Sequence, residues 1–126
     1  RQLSPLDLRP ALGYVLLLDV VEGGRDFRYR LFGSTVVNVS GFDMTGKLLS
    51  EHPASTYVTE LSLAVGRAAV RRRTPVYTLR HPVGAKETNA WERLVLPLVD
   101  EDDNVMRLMV VSTPLDEEGK LIRTVY

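Results

Sequence analysis

Two apolar runs meet at a pair of glycines near the start of the chain. "GYVLLLDVV" and "DFRYRLFG" flank "EGGR", and glycine accepts the positive φ that a tight hairpin demands. With the turn on Gly23 and Gly24, Val20 faces Phe27, Leu18 faces Tyr29 and Leu16 faces Leu31, while Asp19 meets Arg28 and Leu17 stands against Arg30. One face is then wholly apolar and the other mixed, as an antiparallel pair with one side on a core requires. The same test applies near the other end, where "AWERLVLPLVD" and "VMRLMVVST" flank "EDD". With Asp100 opposite Asn104, Leu98 faces Met106, Leu96 faces Leu108, Leu94 faces Val110 and Glu92 faces Ser112. Pro97 lacks a ladder donor, so a bulge or local gap is expected there.

Between the hairpins the pattern turns helical. "STVVNVSG" offers Ser34 as a helix N-cap and Gly41 just past its end. "FDMTGKLL" is turn chemistry leading into another short helix. "PASTYVTELSLAVGRAAVRRR" is the one long helix: Pro53 suits its first turn, and Tyr57, Leu61, Ala64, Val65 and Ala68 share a face. Gly66 weakens that helix by about 1 kcal/mol relative to alanine, so close packing on a sheet is expected to offset it. "RRR", Arg71 to Arg73, suits a helix C-terminus, and "TP" ends the helix before a third strand, "VYTLRH". The order is two strands, three helices and three strands, an α+β domain.

Composition narrows the classes. The chain has 126 residues, 44% of them hydrophobic, enough for one domain with a core. We take residues 1–126 as that domain, with a lead-in over 1–12 and a tail over 114–126. Sixteen basic residues balance sixteen acidic ones, which removes the electrostatic footprint of a nucleic-acid binder and gives no pull toward an anionic membrane. Cysteine is absent, which removes thiolate metal sites, cysteine nucleophiles and disulfides and fits a reducing compartment; a cytoplasmic protein is expected. The longest apolar run, "YVLLL", is far too short to span a bilayer.

The words "LRPALGYVLLLDVV", "DFRYRLFGS", "GFDMTGKLL", "RRRTPV" and "WERLVLPL" stand in an order that resembles a PAS domain. More closely, they resemble a PAS-like family of alphaproteobacterial proteins of unknown function. The resemblance implies a five-stranded antiparallel sheet in spatial order 2-1-5-4-3, with short helices and the long one on one face. It implies a sensory or signalling module that binds a small ligand between helices and sheet or mediates protein–protein interaction, and no catalysis. No catalytic or metal site is nominated. Haem-binding PAS domains use a histidine on the long helix, whereas His52 precedes that helix and His81 ends a strand; the flavin photoreceptors use a reactive cysteine that this chain lacks. No cofactor is therefore expected.

Parity and helical spacing nominate Tyr29, Tyr57, Leu61, Val65, Tyr77, Glu92, Leu94 and Ser112 as pocket residues, a mainly apolar set with a few polar anchors. The competing reading makes these tyrosines core-margin residues and Glu92 a solvated strand end. Val15, Leu17, Phe32, Trp91, Val95 and Met109 fall on the outward sheet face, where so much apolar surface implies a homodimer. The rivals are a pure dimerisation scaffold with a filled core and a small cone-shaped α+β enzyme of the cyclase or isomerase type. The enzyme requires a histidine facing a cavity beside a carboxylate.

Overall fold

The computed structural model describes residues 12–53, 56–81 and 89–121. Strands β1 (Val15–Val21), β2 (Asp26–Phe32), β3 (Val76–Arg80), β4 (Ala90–Val99) and β5 (Val105–Leu115) form one antiparallel sheet in the order β2-β1-β5-β4-β3. Helices α1 (Ser34–Ser40) and α2 (Thr56–Arg72) and a 3₁₀ turn at Leu49–Glu51 connect β2 to β3. The third expected helix is only this 3₁₀ turn. The α+β class and the strand order are those expected.

The hairpin turns fall where the sequence places them. Gly23 and Gly24 both take positive φ, and Val20 pairs with Phe27, Asp19 with Arg28 and Leu18 with Tyr29. Asp100 N–H donates to the Asn104 carbonyl at 2.9 Å. Each hairpin then carries an irregularity that inverts the parity beyond it. In the first, Leu17 pairs with Leu31 and Leu16 with Phe32, so Arg30 is the extra residue. Phe32 therefore turns inward, and Leu31, expected inside, is 42% exposed. In the second, Val99 pairs with Val105 but Leu98 with Arg107, so Met106 is the extra residue. The shift lies one residue from Pro97, whose missing N–H weakens the ladder there. Leu96 consequently opposes Met109, Leu94 opposes Val111, Glu92 opposes Thr113, and Arg93 rather than Glu92 opposes Ser112.

The broken stretch from Gly33 to Lys47 caps the sheet. Ser34 is the first residue of α1 rather than its cap; the N-cap is Gly33, and the Gly13 carbonyl accepts from Thr35 N–H at 2.9 Å and Val36 N–H at 3.3 Å. A Cβ on Gly33 would stand 2.4 Å from that same carbonyl oxygen, so the close approach requires glycine. Gly41, at φ 89°, ends α1 in the left-handed conformation. The chain then runs along β2, with Tyr29 N–H donating to the Lys47 carbonyl at 3.0 Å and Gly46 N–H to the Tyr29 carbonyl at 2.7 Å. Asp26 holds the 3₁₀ turn by accepting from Ser50 Oγ at 2.5 Å. Edge strand β2 is thus covered over this length.

Strand β5 runs through Pro114 and Leu115, so the tail begins later than residue 114. Leu121 bridges back to Leu115 across a turn closed by Asp116 N–H to the Lys120 carbonyl at 2.7 Å. The leucines of the lead-in before Leu12, and residues 122–126 of the tail, lie outside the described residues. Helix α2 is described from Thr56, beyond Pro53.

Candidate functional site

Alternation along the strands sets the floor of a chamber. Leu16 and Leu18 of β1, Phe27 and Tyr29 of β2 and Leu108 and Val110 of β5 all point to the helical side and are buried. Helix α2 lies over them, drawn close at Gly66, where a Cβ would come 2.7 Å from the Phe27 ring. That close packing offsets the poor helix propensity of Gly66. Toward β3 and β4 the helices and sheet leave between them a cavity of about 670 Å³, open on one side among the described residues. Its walls include Val36 and Val39 of α1, Phe42, Leu61 and Val65 of α2, and Trp91 and Val95 of β4. Sites for small molecules in proteins are commonly clefts of this size with mainly apolar walls.

Ser40, Ser62 and His52 line the cavity on the helical side, but both of its arginines stand at the β3 and β4 end. Thr78 pairs with Arg93 and Arg80 with Trp91 across β3 and β4, and all four line the cavity together with Asn89. Arg80 is 8% exposed. Arg93 donates from Nε to Ser112 Oγ at 3.2 Å, and its guanidinium carbon lies 5.8 Å from the Trp91 ring centroid. Tyr29, also in the wall, is pushed up to about 12 by burial, with Arg93 pulling it down and Asp26 raising it. His52 borders the cavity edge-on to Phe42 at 4.8 Å between ring centroids. No aspartate or glutamate stands among the described lining residues.

Of the nominated pocket residues, Tyr29, Leu61 and Val65 line the cavity. Ser112 is fully buried on the inner face, where it accepts the Arg93 hydrogen bond. Tyr57 is on the outer side of α2, 58% exposed. Tyr77, Glu92 and Leu94 are on the opposite face of the sheet, because the second irregularity shifts β4 by one residue. There Tyr77 donates its hydroxyl to Glu92 at 2.5 Å, which raises its pKa. The same shift carries Trp91 and Val95 from the outward face into the core, and the bulge in β2 does so for Phe32. Val15, Leu17 and Met109 keep their outward positions.

Arg80, Arg93 and His52 line the cavity without having been marked by strand alternation or helical spacing. Two arginines in strands with apolar neighbours read as solvated positions. The signal available was Trp91: orienting it inward brings Arg93 in beside it. His52, which precedes the long helix in the sequence, borders the cavity, and no carboxylate stands beside it among the described lining residues.

Solved structures share this fold. The PAS domain of histidine kinase ThkA superposes with a TM-score of 0.56 at 11% identity, over 79% of this chain and 95% of its own. A sensory box sensor histidine kinase from Vibrio cholerae gives 0.58 at 15% identity, over 88% and 90%. The dark structure of the blue-light photoreceptor Aureochrome1 LOV gives 0.60 at 14% identity, over 94% and 88%. The fold is therefore the PAS fold. No protein-family model and no curated protein matches the chain.

Proposed function

We propose that the chain is a sensory domain of the PAS type that works in the cytoplasm and responds to a small molecule held between α2 and the sheet. The observation that carries this reading is the cavity of about 670 Å³ inside an otherwise packed core. A ligand there favours one packing of the helices on the sheet, and the change in population is the signal. The likeness to domains of sensor kinases and photoreceptors supports the signalling role, and the words "DFRYRLFG", "DMTGK" and "LPL" support kinship with the alphaproteobacterial PAS-like family. The relay surface is the outer sheet face, which carries two apolar rows: Leu31, Leu17, Met109 and Leu96, then Val15, Val111, Leu94 and Tyr77. A second copy meeting this face about a two-fold axis covers it. Native mass spectrometry of protein purified from its own host tests the sensory reading. A retained small molecule, lost on denaturation, is the expected result; an unliganded mass in every charge state contradicts it.

A further inference from the structure

The cavity is uneven. Its β1, β2 and β5 side is hydrocarbon and aromatic ring, whereas its β3 and β4 end holds two arginines. Arg80 and Arg93 occupy diagonal positions on neighbouring strands, within reach of long side chains. A guanidinium stays charged at any pH that a folded protein meets. Both lining arginines keep interactions within the protein, so a ligand adds to their contacts rather than supplying the first. What distinguishes the chamber is the sign of its wall: two permanent cations and no acidic side chain among the described lining residues. A low-dielectric surround lengthens the reach of that charge.

Resting on the sensory reading above, we propose that the ligand is an amphiphilic anion: an apolar or aromatic body with one carboxylate-type head. The head is set at the β3 and β4 end, where the planar forks of Arg80 and Arg93 match a carboxylate in shape and Asn89 and Thr78 add short polar groups. The body extends over Trp91 toward Tyr29, Val65 and the α1 side. A neutral body of equal shape forfeits the charged hydrogen bonds, and a small dianion has nothing to set against the apolar walls.

Calorimetry with matched pairs tests this: phenylacetate, 1-naphthaleneacetate and decanoate, each against its carboxamide. The carboxylate of at least one pair is expected to bind about tenfold more tightly than its amide, the yield of one charged hydrogen bond. That preference should fall below about twofold in Arg80→Gln and in Arg93→Gln. Arg93, half-buried, carries the test alone if the Arg80 variant does not fold. Val65→Trp, which fills the cavity, should abolish binding of every probe while the circular dichroism spectrum is kept. Amides binding as well as carboxylates, with both lost in Val65→Trp, would overturn the anion preference and leave the cavity reading standing. Binding that is indifferent to Val65→Trp, or absent for all six probes, overturns both.

Discussion

Asp19 stands on the outer face between two cations. Its carboxylate accepts from Arg30 Nε at 2.6 Å and from Arg107 Nε at 2.8 Å, tying β2, β1 and β5 together. Burial pushes the Asp19 carboxyl up, but the hydrogen bonds and charges of Arg30 and Arg107 outweigh it and hold the group below its ordinary value of 3.8. A carboxyl depressed by folding stabilises the native state above its unfolded pKa, and that contribution fades as pH falls through the folded value. Urea denaturation of Asp19→Asn should therefore show a deficit against the parent protein at pH 7 that shrinks steadily below pH ~4. A deficit independent of pH would assign the loss to packing. Gly66 gives a second residue-level test. Alanine there gains about 1 kcal/mol of helix propensity but meets the buried Phe27 ring, and overpacking costs about 1–3 kcal/mol. A net loss of about 1 kcal/mol in chemical denaturation is expected. A gain in stability would mean that the ring yields into the cavity.

At the scale of elements, the segment after Gly33 matters most, because it holds α1 over the cavity. Gly33→Ala sets a methyl against backbone that cannot move without displacing β1, so a loss of about 2–3 kcal/mol is expected, with faster amide exchange at Thr35 and Val36. Unchanged exchange at those amides would mean that α1 is held by other means. The elements themselves were legible in the sequence. Turn chemistry at Gly23–Gly24 and at Asp100–Asn104 marks both hairpins, and helical spacing marks α2. Register was legible only from each turn to the first irregularity. Beyond Arg30, Leu31 and Phe32 are adjacent apolar residues, and "LVLPLV" is apolar on both faces, so alternation offers no choice between registers. The candidate site inherited that ambiguity. Tyr29, Leu61 and Val65 line the cavity, whereas Tyr57, one turn before Leu61 on the same helix, is 58% exposed. Residues of β4 were inverted, as with Glu92, Leu94, Trp91 and Val95. Pro97 and the cost of burying Glu92 without a partner were the physical clues to the shift.

For the molecule as a whole, the two sheet faces divide the work: the helical face holds the cavity and the outer face presents its apolar rows. Along the strands, those rows have Arg28, Asp19 and Arg107 on one side and Glu92 on the other. In the proposed dimer, a two-fold axis running across the strands would set the arginines of one copy near Glu92 of the next. Sedimentation at micromolar concentration should give a dimer, and Leu94→Arg, on a 38% exposed position, should give a monomer of unchanged fold. A monomer in the parent protein, unchanged on concentration, would mean that the face is covered within one chain. Among the described residues no helix is long and apolar enough to cross a membrane. The central claim is that the space between α2 and the sheet belongs to a ligand. A high-resolution crystal structure of protein taken from its native host tests it most directly. Continuous density for a small molecule bounded by Tyr29, Val65, Trp91 and Arg93 is expected; side chains closed over that space, with no chamber left between helix and sheet, would contradict a ligand-binding role.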